Sequence, residues 1–174
     1  MLLKSAIRDP NPVVFLEHKA LYRQRVYCAQ KEPTKDEILP FGKARVVREG
    51  RDITVVCWGM MVHMAFEVAQ KLEDEGIQTE IIDLRTLNPL DFPAILESVK
   101  KTGKLLIVHE AAENCGFGAE IAARVSEKGF EYLDAPIHRL GGLNTCVPYC
   151  KLLEDLVLPQ KHSIEKSIRD LVAY

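Results

Sequence analysis

No run of apolar residues in this 174-residue sequence approaches the roughly 20 needed to cross a bilayer. The N-terminus also lacks the basic, apolar and small-residue regions of a signal peptide. A soluble intracellular protein with no membrane partner is therefore expected. An excess of either charge is missing too: 23 basic residues face 25 acidic ones. That balance provides no electrostatic footprint for nucleic acid. Paired cysteine motifs are absent: Cys28, Cys57, Cys115, Cys146 and Cys150 are odd in number and form no CxxC pair beside a histidine cluster. This argues against a zinc site and a disulfide framework. Reduced thiols in or near cores are expected, and Cys115, flanked by Asn114 and Gly116, is the candidate for reactivity.

What is present is a chain that is 47% hydrophobic, enough for one well-buried domain and part of a second. The stretch from Asp52 to Asp91 reads as a complete βαβ unit. Ile53 to Cys57 is an apolar, β-branched run of the kind that lies between two helical layers. Met61, Ala65, Val68 and Leu72 then form one helical stripe, and Gly76 is expected to stop the helix in a left-handed turn. Thr79 to Leu84 is the next strand, parallel to the first because a helix connects them. Ala44 to Arg48 alternates like a short strand that the turn at Glu49 to Asp52 could pair antiparallel with Ile53 to Cys57.

Downstream, Asn88 to Asp91 opens a helix that ends at Gly103. Lys104 to Val108 reads as a strand, Gly116 to Val125 as the start of a helix, Ile137 to Leu140 as a strand and Ile164 to Val172 as a terminal helix. A short helix opens at Val147-Pro148-Tyr149. The pattern predicts a three-layer α/β/α domain with a mostly parallel sheet of about five strands, the first antiparallel. Upstream, Met1 to Ile7 reads as a helix end and Val13 to Leu16 as a short strand. Residues 22–40, polar and broken by Pro33, read as a linker or exposed loop.

Several residues invite chemistry, each with a plainer role beside it. His109-Glu110, at the carboxyl end of a central strand, is the best-placed acid/base pair, or else satisfies loop amides. Gly116-Phe117-Gly118 resembles the start of a dinucleotide fingerprint but has no third glycine at the right offset. Close packing of a helix start is its plainer use. His63 lies off the apolar stripe of its helix, and Glu73-Asp74-Glu75 reads as a solvated helix end.

A run of segments in order then carries a resemblance. Ile7-Arg8-Asp9-Pro10-Asn11-Pro12, Leu16-Glu17-His18-Lys19, Leu21-Tyr22-Arg23, Pro40-Phe41-Gly42-Lys43, Ile82-Asp83-Leu84-Arg85-Thr86, Val108-His109-Glu110-Ala111, Gly116-Phe117-Gly118-Ala119-Glu120 and Leu133-Asp134-Ala135-Pro136 resemble the β subunits of thiamine diphosphate-dependent 2-oxo acid dehydrogenases. The resemblance implies that residues 1–22 are the remnant of a pyrimidine-binding domain, 23–40 a linker and 41–174 a domain of the transketolase C-terminal type. It implies a segment of a subunit that oxidatively decarboxylates a 2-oxo acid, either pyruvate-like, branched-chain or acetoin-related, and passes the acyl group to lipoyl on an acyltransferase core. A transketolase-like synthase, or a non-catalytic interaction module of the same fold, is the alternative.

The family's cofactor-binding and catalytic residues match no position in this chain, so no catalytic residue is assigned and the segment alone is expected to be inactive. Thiamine diphosphate and magnesium belong to the complete enzyme. The resemblance further implies a potassium ion at Ala6, Asp9 and Asn11, where Asp9 and Asn11 could equally bond their own turn. It implies docking of the acyltransferase's subunit-binding domain at Asp134 and Tyr174, where Asp134 could equally cap a turn. An α subunit and a second β subunit are the other implied partners, and the bacterial cytoplasm or the mitochondrial matrix is the implied location.

Overall fold

The computed structural model describes residues 1–24 and 33–174, so Cys28 and the polar stretch Gln30 to Glu32 lie outside the described residues. Five strands form one sheet: β1 (Arg45–Arg48), β2 (Ile53–Cys57), β3 (Thr79–Asp83), β4 (Leu105–Ala112) and β5 (His138–Gly142). Their spatial order is β1-β3-β2-β4-β5, with every pairing parallel except β1 to β3. The helices are α1 (Leu2–Arg8), α2 (Met60–Glu73), α3 (Phe92–Thr102), α4 (Phe117–Gly129), α5 (Lys151–Val157) and α6 (Lys161–Val172). No helix among the described residues is long and apolar enough to cross a membrane.

The alternation along each central strand decides the layering, because successive side chains point to opposite faces. Ile53, Val55 and Cys57 of β2, with Leu106 and Val108 of β4, pack against Met61, Ala65, Val68 and Leu72 of α2 and against Ile164, Ile168 and Leu171 of α6. Val56, Leu105 and Ile107 face the other way, toward Ile95 and Val99 of α3 and Ile121 and Val125 of α4. Each fully buried aliphatic side chain contributes about 1.5–3 kcal/mol. Thr54 breaks the apolar run of β2 without an unpaired hydroxyl, since it bonds Ser98 at 2.6 Å and Thr102 at 2.7 Å.

The local signals explain the helix ends. The Asp91 carboxylate accepts from the Ala94 amide at 3.4 Å and caps α3, which Gly103 ends in the left-handed conformation (φ 69°). The glycine signal holds for α2 as well: past Glu73, Gly76 (φ 88°) is left-handed, and its N–H donates to Glu73 O at 2.9 Å while Ile77 N–H donates to Leu72 O at 3.0 Å, closing the helix end.

Two expectations are corrected. β1 pairs with β3, not with β2. Both edges of β2 are taken by the parallel strands β3 and β4, so the turn passes across the start of β3, where the Arg51 and Asp52 amides donate to Gln78 O at 3.1 and 3.0 Å. Gly50 lies so close to the Gln78 to Glu80 backbone there that a Cβ would collide with it. Val13 to Leu16 is not a strand. No described strand lies beside it to complete a ladder, and Val14 and Leu16 are 85% and 82% exposed.

Candidate functional site

Doubly wound sheets take ligands outside the carboxyl ends of their strands, where successive crossovers leave in opposite directions. In this sheet α2 carries the chain from β2 to β3, and α3 carries it back past β2 to β4. The switch point is therefore the crevice between the carboxyl ends of β2 and β4. Trp58 and Gly59 form one wall, and His109 and Glu110 form the other.

His109 and Glu110 do not act as a pair. Consecutive residues of a strand face opposite ways, and these two are used separately. His109 is fully buried, stacked on Trp58 with ring centroids 5.3 Å apart and 16° between planes. Its Nδ1–H donates to Ala111 O at 3.0 Å, which leaves Nε2 buried without a partner. Burial holds its imidazolium below the ordinary histidine range, Arg139 pushes the same way, and the Ala111 carbonyl and Glu113 oppose them.

Three glycines surround that ring. A Cβ on Gly116, Gly118 or Gly141 would lie within 2.9 Å of ring atoms of His109. The Gly-Phe-Gly motif thus packs the start of α4 against His109, the plainer of its two readings, and Phe117 meets Trp58 edge-on at 6.3 Å.

Glu110 turns instead to His18, 92 residues earlier: His18 Nε2 and Glu110 Oε2 are 2.7 Å apart, with side chains 27% and 32% exposed. His18 Nδ1 is buried and has no partner. Beneath the ring is Gly59 (φ 61°), where a Cβ would lie 3.4 Å from His18 Cδ2. Neighbouring titratable groups complete this edge. The half-buried His63 has its pKa lowered by burial, with Asp83 and Glu67 opposing, and burial raises the carboxyl of Asp83. Cys115 is exposed and holds a positive φ of 59°.

The other expected site residues lie away from this crevice. Ala6 is within α1, just before the turn. Asp9 Oδ1 accepts both the backbone N–H and the side-chain Nδ2–H of Asn11, each at 2.9 Å. No three metal-ligating side chains converge among the described residues. Asp134 and Tyr174 are both exposed. The Asp134 carboxylate lies against the Cα of Gly103, while the next residue, Lys104, donates to Val172 O at 2.9 Å near the terminal helix end.

The sequence reading missed the His18–Glu110 contact and the part played by Trp58. No local sequence signal joins His18 to Glu110, 92 residues later.

Residues 42–164 match the model of the transketolase C-terminal domain. The chain belongs to the transketolase C-terminal domain family. Within that family it is 46% identical over 168 residues to the pyruvate dehydrogenase E1 component subunit beta of Rhizobium meliloti, covering 97% of this chain and 36% of that protein. It is 47% identical over 173 residues to the mitochondrial 2-oxoisovalerate dehydrogenase subunit beta 2 of Arabidopsis thaliana, covering 99% of this chain and 47% of that one. Among solved structures, a split-gene transketolase described as an inactive β4 tetramer superimposes with a TM-score of 0.68 at 25% identity, over 80% of this chain and 44% of that chain. The chain thus spans about half or less of the length of these transketolase C-terminal domain proteins. It is similar to β subunits of 2-oxo acid dehydrogenases along nearly its whole length.

Proposed function

We propose that this chain is the closing segment of the β subunit of a 2-oxo acid dehydrogenase, and that its work there is assembly and docking. The complete enzyme would oxidatively decarboxylate a 2-oxo acid and transfer the acyl group to a lipoyl arm on an acyltransferase core. One observation carries the reading: identity of 46–47% extends over 97–99% of the chain to relatives of that name, well beyond the residues that pack the core. The transketolase alternative rests on 25% identity and is weaker on the same measure.

Thiamine diphosphate is the cofactor of the proposed reaction and supplies its carbanion chemistry when bound. The described residues do not fit it. The cofactor needs a divalent ion for its diphosphate and a carboxylate at its pyrimidine ring. The described residues gather no three metal ligands, and the Glu110 carboxylate at the sheet's carboxyl edge already holds His18. The cofactor and magnesium are assigned to the α subunit and to an upstream domain of which residues 1–22 are the end. Residues 23–40 then act as the linker and 41–174 as the assembly domain. A potassium ion at Ala6, Asp9 and Asn11, and docking of the acyltransferase at Asp134 and Tyr174, belong to the same proposal.

The test is a thiamine diphosphate binding and turnover assay on the full-length gene product mixed with its α partner. Cofactor binding and 2-oxo acid decarboxylation by the pair, with none by the 174-residue chain, is the expected outcome. Turnover by the short chain alone, or a full-length pair that binds no cofactor, would overturn it.

A further inference from the structure

The ligand crevice of a doubly wound sheet is normally left open for a small molecule. In this chain it is already filled. The imidazole of His18 sits over Gly59 at the end of β2 and bonds Glu110 on β4. It therefore bridges the two strands that define the switch point. The segment that delivers it, residues 12–18, has no regular secondary structure, and Val14 and Leu16 face solvent.

The geometry points to a docking site turned inward: the switch-point crevice between β2 and β4 receives the chain's own upstream segment, with His18 as the occupant and Glu110 as its receptor. Three features fit this use. Gly59 has no side chain where one would press on the imidazole, and its positive φ disfavours acquiring one. The Glu110 carboxylate accepts a ring N–H in a site two-thirds shielded from water, where such a bond is stronger than at an open surface. Immediately after His18 the chain tightens into a 3₁₀ turn, Lys19–Arg23, whose first backbone bond runs from Leu21 N–H to His18 O at 3.0 Å. The anchor thus sets where the chain leaves the crevice. His18 thus ties the segment that precedes it to the sheet's carboxyl edge. The inference stands whether or not the decarboxylase reading holds, because its test reads no activity.

The experiment is tryptic cleavage after Lys19, next to the anchor, in the 174-residue chain and in the His18→Ala, Glu110→Ala, Glu110→Gln and doubly substituted His18→Ala/Glu110→Ala variants. Cleavage after Arg48 in β1 and after Lys101 in α3 serves as the internal reference. His18→Ala and Glu110→Ala should each speed cleavage after Lys19 about tenfold while the reference bonds stay protected, and the double variant should be no faster than either single one. Glu110→Gln, which keeps an acceptor, should fall between. Rates after Lys19 within about twofold of the parent, or single effects that simply multiply in the double variant, would overturn the docking. If Glu110→Ala loses the fold, Glu110→Gln carries the comparison: no increase there also overturns it.

Discussion

At the scale of the residue, His109 shows how a sheet edge can hide a titratable group. Its ring is stacked on Trp58, enclosed by three glycines and bonded through Nδ1, and burial lowers its pKa. The unfolded chain therefore binds a proton that the folded chain resists, so stability rises with pH across that window. The contribution is fully present above the ordinary histidine value of about 6.5 and is lost as pH falls through it toward the lowered folded value. Urea titrations at pH 7 and pH 5 should show a loss of stability on acidification that shrinks in His109→Phe, which keeps the stacked ring and removes the proton. An equal loss in both proteins would assign the acid sensitivity to other groups. His18 and Glu110 teach a different lesson: each stands in a recognisable place in the chain, but with 92 residues between them no local pattern encodes their meeting.

At the scale of the element, β2, α2 and β3 were legible because period and punctuation agree in them, and each begins within a residue of where the pattern placed it. β1 was legible as a strand but not in its partner. Its own four residues do not say which edge of the sheet is free; only the full strand order does. Val13 to Leu16 has strand composition without a neighbour to pair with, and composition alone does not supply a ladder. Below β2 a buried polar chain joins elements through atoms that hydrophobic periodicity ignores. Thr54 bonds Ser98, Ser98 donates to the buried Glu80 at 2.5 Å, and Glu80 also accepts from Lys101 and from the Gly50 amide. Ser98→Ala strips a partner from Thr54 and from Glu80 at once, and the expected cost is about 1–3 kcal/mol, read as a lowered urea midpoint with the slope unchanged. A midpoint shift under a few tenths of a kcal/mol would mean that the network relaxes around the gap. In the turn after α1, potassium should raise the melting temperature of the complete subunit above its value in sodium, and Asp9→Ala should abolish the difference. A variant as potassium-sensitive as its parent would leave Asp9 as a turn residue bonded to Asn11.

At the scale of the whole molecule, the proposed docking corner unites Asp134, against Gly103, with the chain end beyond Val172, which Lys104 holds. Replacing Asp134 with Asn removes one charge and keeps an acceptor for the turn. Affinity for the isolated subunit-binding domain of the acyltransferase should fall several-fold at low salt and converge with the parent's at high salt, because exposed charges act through screened attraction. Unchanged affinity at low salt would move the docking face elsewhere. The exposed apolar residues upstream, Ile7, Val14 and Leu16 among them, should make the 174-residue chain self-associate. What form the association takes is set at the other end of the molecule's architecture. The sheet's outer strands are irregular: pairing with β1 shifts between Val46 and Arg48, pairing with β5 shifts between Val108 and Ala112, and β1 begins and ends on arginine. Such margins do not template another chain. Concentrated samples should therefore settle into discrete oligomers with no thioflavin signal, so that a segment which adheres through its tail is still barred from polymerising through its sheet.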